Sequence, residues 1–117
     1  MFTEPKRASQ AILSAEYPRS FEAGLADASV DLPANCIVAK RTADSLVVQW
    51  DPEEDDGSED AIGVYADRTI IAASAGAKRR ASWAFQEAEI DFNALVLPDD
   101  VDLGDVIAAL PKLTIRG

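Results

Sequence analysis

The side chains that could bind a cation or move a proton crowd into one place. In DPEEDDGSED, residues 51–60, seven of the ten positions are carboxylic acids. An EF-hand loop begun at Asp51 would set Glu53 and Asp55 at its third and fifth positions. The sixth position, which needs glycine for a sharp turn, is Asp56, and Gly57 comes one residue late. Its twelfth position is Ile62, which has no chelating oxygen. The calcium pattern fails, leaving only the loose attraction of clustered carboxylates for divalent ions. Acid–base catalysis needs a carboxyl group whose pKa is moved by burial, and neighbouring acids in a Gly/Ser turn stay hydrated. With 21 acidic residues in the chain, pairs at a glycosidase-like separation arise by chance.

Other chemistries are scarcer. There is no histidine, which removes the commonest general base, the usual zinc ligand and every triad built on imidazole. Cys36 is the only cysteine, so no disulfide forms within the chain, and its strand-like setting NCIVAK predicts a buried, inert thiol suited to a reducing cytoplasm. AGAKRR, residues 75–80, lacks the first glycine of a phosphate loop, and Ala77 separates Gly76 from Lys78. The net charge of −10, from 11 basic and 21 acidic residues, opposes binding to a phosphate backbone. It is compatible with a protein that imitates nucleic acid and inhibits a DNA-binding enzyme, but mimicry needs carboxylates spaced along a rigid element. Here they are clumped at residues 51–60 and around Asp99, Asp100, Asp102 and Asp105. Clumped charge describes a solvated surface. No catalytic residue, metal site or cofactor is assigned, nor is a membrane partner, since no apolar run reaches the length of a span.

The elements that would position these groups are mostly strands. At 117 residues, 48% of them apolar, one domain with one core is expected. Residues 1–20 have little periodicity and carry Pro5 and Pro18, which predicts a flexible arm with a short apolar patch at Ala11, Ile12 and Leu13. SFEAGLADAS is ambiguous, its alanines favouring helix without an apolar stripe. LPANCIVAK reads as a turn entering a strand, and DSLVVQW as a second strand completing a hairpin across RTAD. AIGVYA is short and β-prone. Ala81, Trp83 and Phe85 alternate with polar or small residues at the strand period. Leu103, Val106, Ile107 and Leu110 mark one face of a helix, with Asp102 as N-cap, Asp105 three residues on and Pro111 as terminator. KLTIRG closes the chain as a short strand. This predicts a mainly β (α+β) domain with one short helix late in the chain, and Trp83 and Phe85 meeting the helix stripe in one core.

The order of the motifs is more specific than any one of them. AILSAE near the start, LPANCIVAK, DPEEDDGSEDAIGVY, AEIDFNALVLP and a late helix running into LTIRG together resemble the lambda-type phage head decoration proteins. Asp51, Pro52, Asp56, Gly57, Ser58, Ala61 and Gly63 match the family's DP…DGS…A-G loop and strand, and Leu32, Pro33 and Ala34 its turn before a strand. Asn35 and Cys36 stand where the family has Gly-Thr, EAGLADAS replaces a β-branched stretch, and Leu97 replaces a tryptophan. The resemblance implies a compact β-clip-like body over residues 21–117 and a flexible capsid-binding arm over residues 1–20, with Ala11, Ile12, Leu13 and Ser14 as the attaching residues. It further implies a non-enzymatic cement, made in the bacterial host cytoplasm and carried on the outer surface of the virion. There it would sit as a homotrimer at threefold positions on the major capsid protein, bracing the expanded head against packaged DNA. The acidic stretch is then a solvated corner between two strands, turning at Gly57 and Ser58.

Overall fold

The structure, a computed structural model, describes residues 10–117. Along that span run β1 (Ile12–Ser14), β2 (Phe21–Asp27), β3 (Ile37–Lys40), β4 (Val47–Gln49), β5 (Ala61–Tyr65), β6 (Lys78–Ala84) and β7 (Glu89–Asp91). A 3-10 turn (Phe92–Ala94), the helix α1 (Leu103–Ala109) and β8 (Thr114–Arg116) complete it. The protein is mainly β, as its sequence pattern predicts, and the strands sort into two sheets.

The larger sheet is a closed barrel in the order β2-β4-β3-β5-β6, with β6 returning to β2. Its longest seam is antiparallel β2–β6, from Phe21↔Ala84 to Asp27↔Lys78. The ambiguous SFEAGLADAS is therefore a strand, and its small residues have a steric reason. A Cβ on Gly24 would come 3.3 Å from the Trp83 ring, so the Ala/Gly composition that obscures the strand makes room for the largest core side chain. On β5, a side chain on Gly63 would strike the same indole and the Ala84 carbonyl. β3 and β4 form the expected hairpin, with Lys40 opposite Val47.

Successive residues of β3 point to opposite faces of the wall, and both faces are buried. Val38 enters the barrel interior with Leu32, Tyr65 and Trp83. Ile37 and Ala39 face outward onto a second core containing Trp50, Ile90, Val106 and Leu110. This corrects the expectation of one core: Trp83 fills the barrel, whereas the helix packs outside its wall. Phe85 is only partly buried, against the barrel cluster. The helix stripe is also narrower than its spacing suggests, because α1 has only seven residues. Val106 and Leu110 are buried, Leu103 is half-buried and Ile107 is 49% exposed. Its start is as expected: Asp102 and Asp105 form a reciprocal capping box.

The second sheet has the order β1-β7-β8 and stays open. β7 runs antiparallel to β1 and parallel to β8. Arg116 on β8 bridges to Glu89 on β7 at 3.1 Å, which holds the Glu89 carboxyl below its usual range.

Candidate functional site

The four residues assigned to capsid attachment lie together on β1 and the residue before it. Ala11 is fully buried and belongs to the outer core, the place for a small apolar side chain under a sheet. Its carbonyl accepts from the Asp91 amide at 2.8 Å, and its own amide donates to the Asn35 side-chain oxygen at 3.0 Å. Ile12 pairs with Ile90 and packs against the same core, and Ser14 pairs with Glu89. Leu13 points away and is 52% exposed. Residues 10–20 are thus applied to the body, whereas residues 1–9 of the expected arm, with Lys6 and Arg7, lie outside the described residues.

Sequence reasoning missed what fastens this segment. Asn35 takes φ 67, the left-handed conformation that glycine adopts freely and asparagine tolerates. Where the decoration-type turn has glycine, the asparagine keeps the turn and adds an acceptor for the Ala11 amide. An asparagine at a glycine position of the resembled turn was the available signal. Ser20, fully buried, is the second fastener: its hydroxyl accepts from the Glu16 amide at 2.8 Å and donates to the Glu87 carbonyl at 3.1 Å. Arg19 adds an ion pair with Glu87 at 3.0 Å.

β1 is an edge strand, with a neighbour on one side only among the described residues. An open groove of 640 Å³ runs beside it, lined by Ile12, Tyr17, Phe21, Asp67 and Ser82 among others. Tyr17 is 86% exposed and stands against Phe21, their ring centres 6.1 Å apart. A strand edge without a neighbouring strand among the described residues, beside exposed leucine and tyrosine, is suited to receiving an extended segment.

The acidic stretch is a constructed turn. Thr42 donates to the Asp56 carbonyl at 2.7 Å, and the Trp50 indole donates to the Glu59 carbonyl at 2.9 Å. The Ser58 amide and hydroxyl both donate to the Asp56 carboxylate, and these bonds hold its pKa below the usual carboxylate range. Gly57 makes the corner at φ 102, and Ser58 is buried beneath it. Glu53, Glu54 and Asp55 face solvent. Among the described residues no three acids, cysteines or histidines converge on a possible metal position. Cys36 is buried in the barrel, and that burial pushes its thiol up to about 12, far from thiolate chemistry.

Among models of known protein families, that of the bacteriophage lambda head decoration protein D matches residues 1–117, the whole chain. The chain belongs to that family. No curated protein matches it. Membership makes it a structural component of the phage virion, associated with the capsid of the head. The resemblance carried by the motif order is thereby established, and the edge strand and acidic turn become features of a head decoration protein. No helix among the described residues is long and apolar enough to cross a membrane.

Proposed function

We propose that this protein is a capsid cement, which binds the major capsid protein on the outer surface of the expanded head as trimers at threefold positions. There it braces neighbouring subunits against the pressure of packaged DNA. Residues 1–20 are the attaching segment, residues 21–117 the body, and no catalysis takes part. The observation that carries this reading is the open edge of β1. A capsid strand laid along it gains backbone hydrogen bonds, Leu13 supplies an apolar anchor, and the groove beside Tyr17 offers room. Three such edges on one trimer convert weak single contacts into avid attachment.

Sedimentation of expanded empty heads with added protein tests the reading. The parent protein should pellet with the heads. Leu13→Asp should bind about tenfold more weakly, a loss of about 1.4 kcal/mol, while its melting temperature stays that of the parent. A parent that stays in the supernatant sinks the cement reading. A Leu13→Asp protein that binds as well as the parent moves the attachment site elsewhere.

A further inference from the structure

The barrel does not close with equal strength all round. β2 and β6 pair over seven residues, but β2 meets β4 only at Ala26 and Val47, the barrel's one parallel pairing among the described residues. Without that contact the same strands make an open sheet, with β4 at one edge and β2 at the other. Neighbouring hydrogen bonds show which backbone groups the seam uses. The Ala28 amide donates to the Ala77 carbonyl and the Phe85 amide to that of Ser20, so alternate residues of β2 bond to β6, and Leu25 and Asp27 turn toward β4. The Arg41 amide donates to the Leu46 carbonyl and the Trp50 amide to that of Ile37, so by the same alternation Val47 and Gln49 turn toward β2. Parted, these groups are those of a strand edge.

An ion pair lies across this seam. Asp27 ends β2, and Arg41 follows β3 in the turn that leads to β4. The Arg41 guanidinium donates to the Asp27 carboxylate at 2.9 Å and to Asp44, within its own turn, at 2.8 Å. The other oxygen of Asp27 takes the Ser29 amide and hydroxyl. Asp27 is buried and Arg41 half-buried, which shields the pair from the water that weakens exposed ion pairs. The other ion pairs between described residues, Arg19 with Glu16 and Glu87 and Arg116 with Glu89, lie outside the barrel strands. The barrel's ion pair thus coincides with its thinnest seam.

We infer that Asp27 and Arg41 form a latch on a concealed strand edge. Closed, it leaves the barrel without an edge; broken, it lets the β2–β4 seam part while the β2–β6 seam and the packing around Trp83 hold. Proton uptake by Asp27 is one way to break it. Facing Asp27 are Arg41 and Asp44 from the hairpin, Ser29 just beyond β2 and, directly across on β6, the exposed Lys78. Asp56, whose carbonyl takes the Thr42 amide, is a further carboxylate on which the Arg41 charge acts. The Ser29 bonds, and after them Arg41, hold the Asp27 pKa below its ordinary value. The latch is therefore closed above the usual carboxylate range and opens as the pH falls through the folded value.

Hydrogen exchange of the full chain, read amide by amide as protection factors, tests the latch. In Arg41→Gln at neutral pH, the amides of Asp27 and Val47 should lose at least about tenfold in protection, whereas those of Gly24 and Ala26, which face β6, should change by less than about twofold. Asp27→Asn should act on Val47 in the same way, and the double change should cost Val47 no more than either single change, because the two side chains act as one pair. Glu89→Gln, which releases the Arg116 pair in the other sheet, should leave both seams as they are in the parent. The parent's own acid series needs no variant. As the pH falls through the carboxylate range, Asp27 and Val47 should lose protection before Gly24 and Ala26, and Arg41→Gln should show no further acid loss at Val47 ahead of them. A Val47 amide as protected in Arg41→Gln as in the parent overturns the latch. So do protection lost equally along both seams and additive losses in the double change. If Arg41→Gln does not fold, an acid series of the parent in which both seams fail together overturns it as well.

Discussion

The five-stranded barrel and the three-stranded sheet share a wall of buried residues and differ in what they do with their edges. Closing β6 onto β2 gives every barrel strand two neighbours, although β2 meets β4 only at Ala26 and Val47 and β5 meets β6 over two residue pairs. The open sheet leaves β1 at one margin and β8 at the other. The capsid cement proposed above would gain from this division. The barrel supplies a body in which every strand is flanked on both sides, and the small sheet supplies a strand edge at a defined place. The difference predicts that damage to the barrel unfolds the molecule, whereas damage around the open sheet stays local or changes attachment alone.

The largest effect should come from the barrel interior. Trp83 is 1% exposed and reaches between Gly24 and Gly63. Its indole nitrogen has no hydrogen-bond partner among the described residues, so it contributes through packing and through the Lys40 ammonium, which lies 5.4 Å from the ring centre. Trp83→Ala should cost about 3–5 kcal/mol in urea unfolding. A loss below about 1 kcal/mol would show that the barrel interior does not set the stability, and the division between the halves would fail.

How much of this was legible before the fold was known depends on what each element needs from its side chains. β6, the β3–β4 hairpin and the helix start were readable because alternation, β-branched residues and the Asp102–Asp105 spacing are local signals. β2 was not, since its identity comes from the Trp83 ring that its small residues accommodate, a partner 59 positions away. The two-core arrangement was equally hidden. β3 is apolar on both faces, and periodicity does not tell which core each face meets. For the candidate site, the apolar patch at residues 11–13 was visible, while its fastening through Asn35 and Ser20 depends on long-range hydrogen bonds. A family resemblance supplied the attachment role; composition alone left an acidic, β-rich domain.

The next effect sharpens how the acidic turn is held to the barrel. Gly57 lies at φ 102, and a Cβ there would come within 2.6 Å of the Lys40 carbonyl. Gly57→Ala should cost about 1–3 kcal/mol from crowding, on top of the backbone strain. Gly76 is the matched control. It lies at φ 82 with nothing near its missing side chain, so Gly76→Ala carries the strain without the collision and should lower the melting temperature less. Equal losses would mean that the turn is not pinned against β3.

On the open-sheet side, the Asp102 carboxylate accepts from the Asp105 amide at 2.9 Å, and the Asp105 carboxylate accepts from the Asp102 amide at 3.0 Å. Asp102→Ala should cost about 1 kcal/mol, a usual loss for an N-cap. Faster amide exchange should be confined to residues 103–109 and the core beneath them, with the β2–β6 seam as protected as in the parent. Exchange that accelerates equally along β2 and β6 would join the two halves into one cooperative unit and erase the contrast.

The smallest effect belongs to the residues with which the chemistry began. Glu53, Glu54 and Asp55 accept no side-chain hydrogen bond among the described residues and face water, whereas Asp56, beside them, holds two bonds from Ser58. Changing the three to Gln, Gln and Asn should move the folding stability of the monomer by no more than about 0.5 kcal/mol, and millimolar calcium should leave the parent's melting temperature where it was. Asp56→Asn should behave differently, and with a definite pH sign. The folded pKa of Asp56 lies below its ordinary value, so its contribution is present above the usual carboxylate range and is lost as the pH falls through the folded value. The gap between parent and Asp56→Asn should therefore be full at neutral pH and close in acid, while the triple variant tracks the parent across that range except for general relief of negative charge. A calcium-dependent rise in melting temperature, abolished by the triple change, would make the turn a cation site after all. A pH-independent gap for Asp56→Asn would mean that the Ser58 bonds are not what holds the corner.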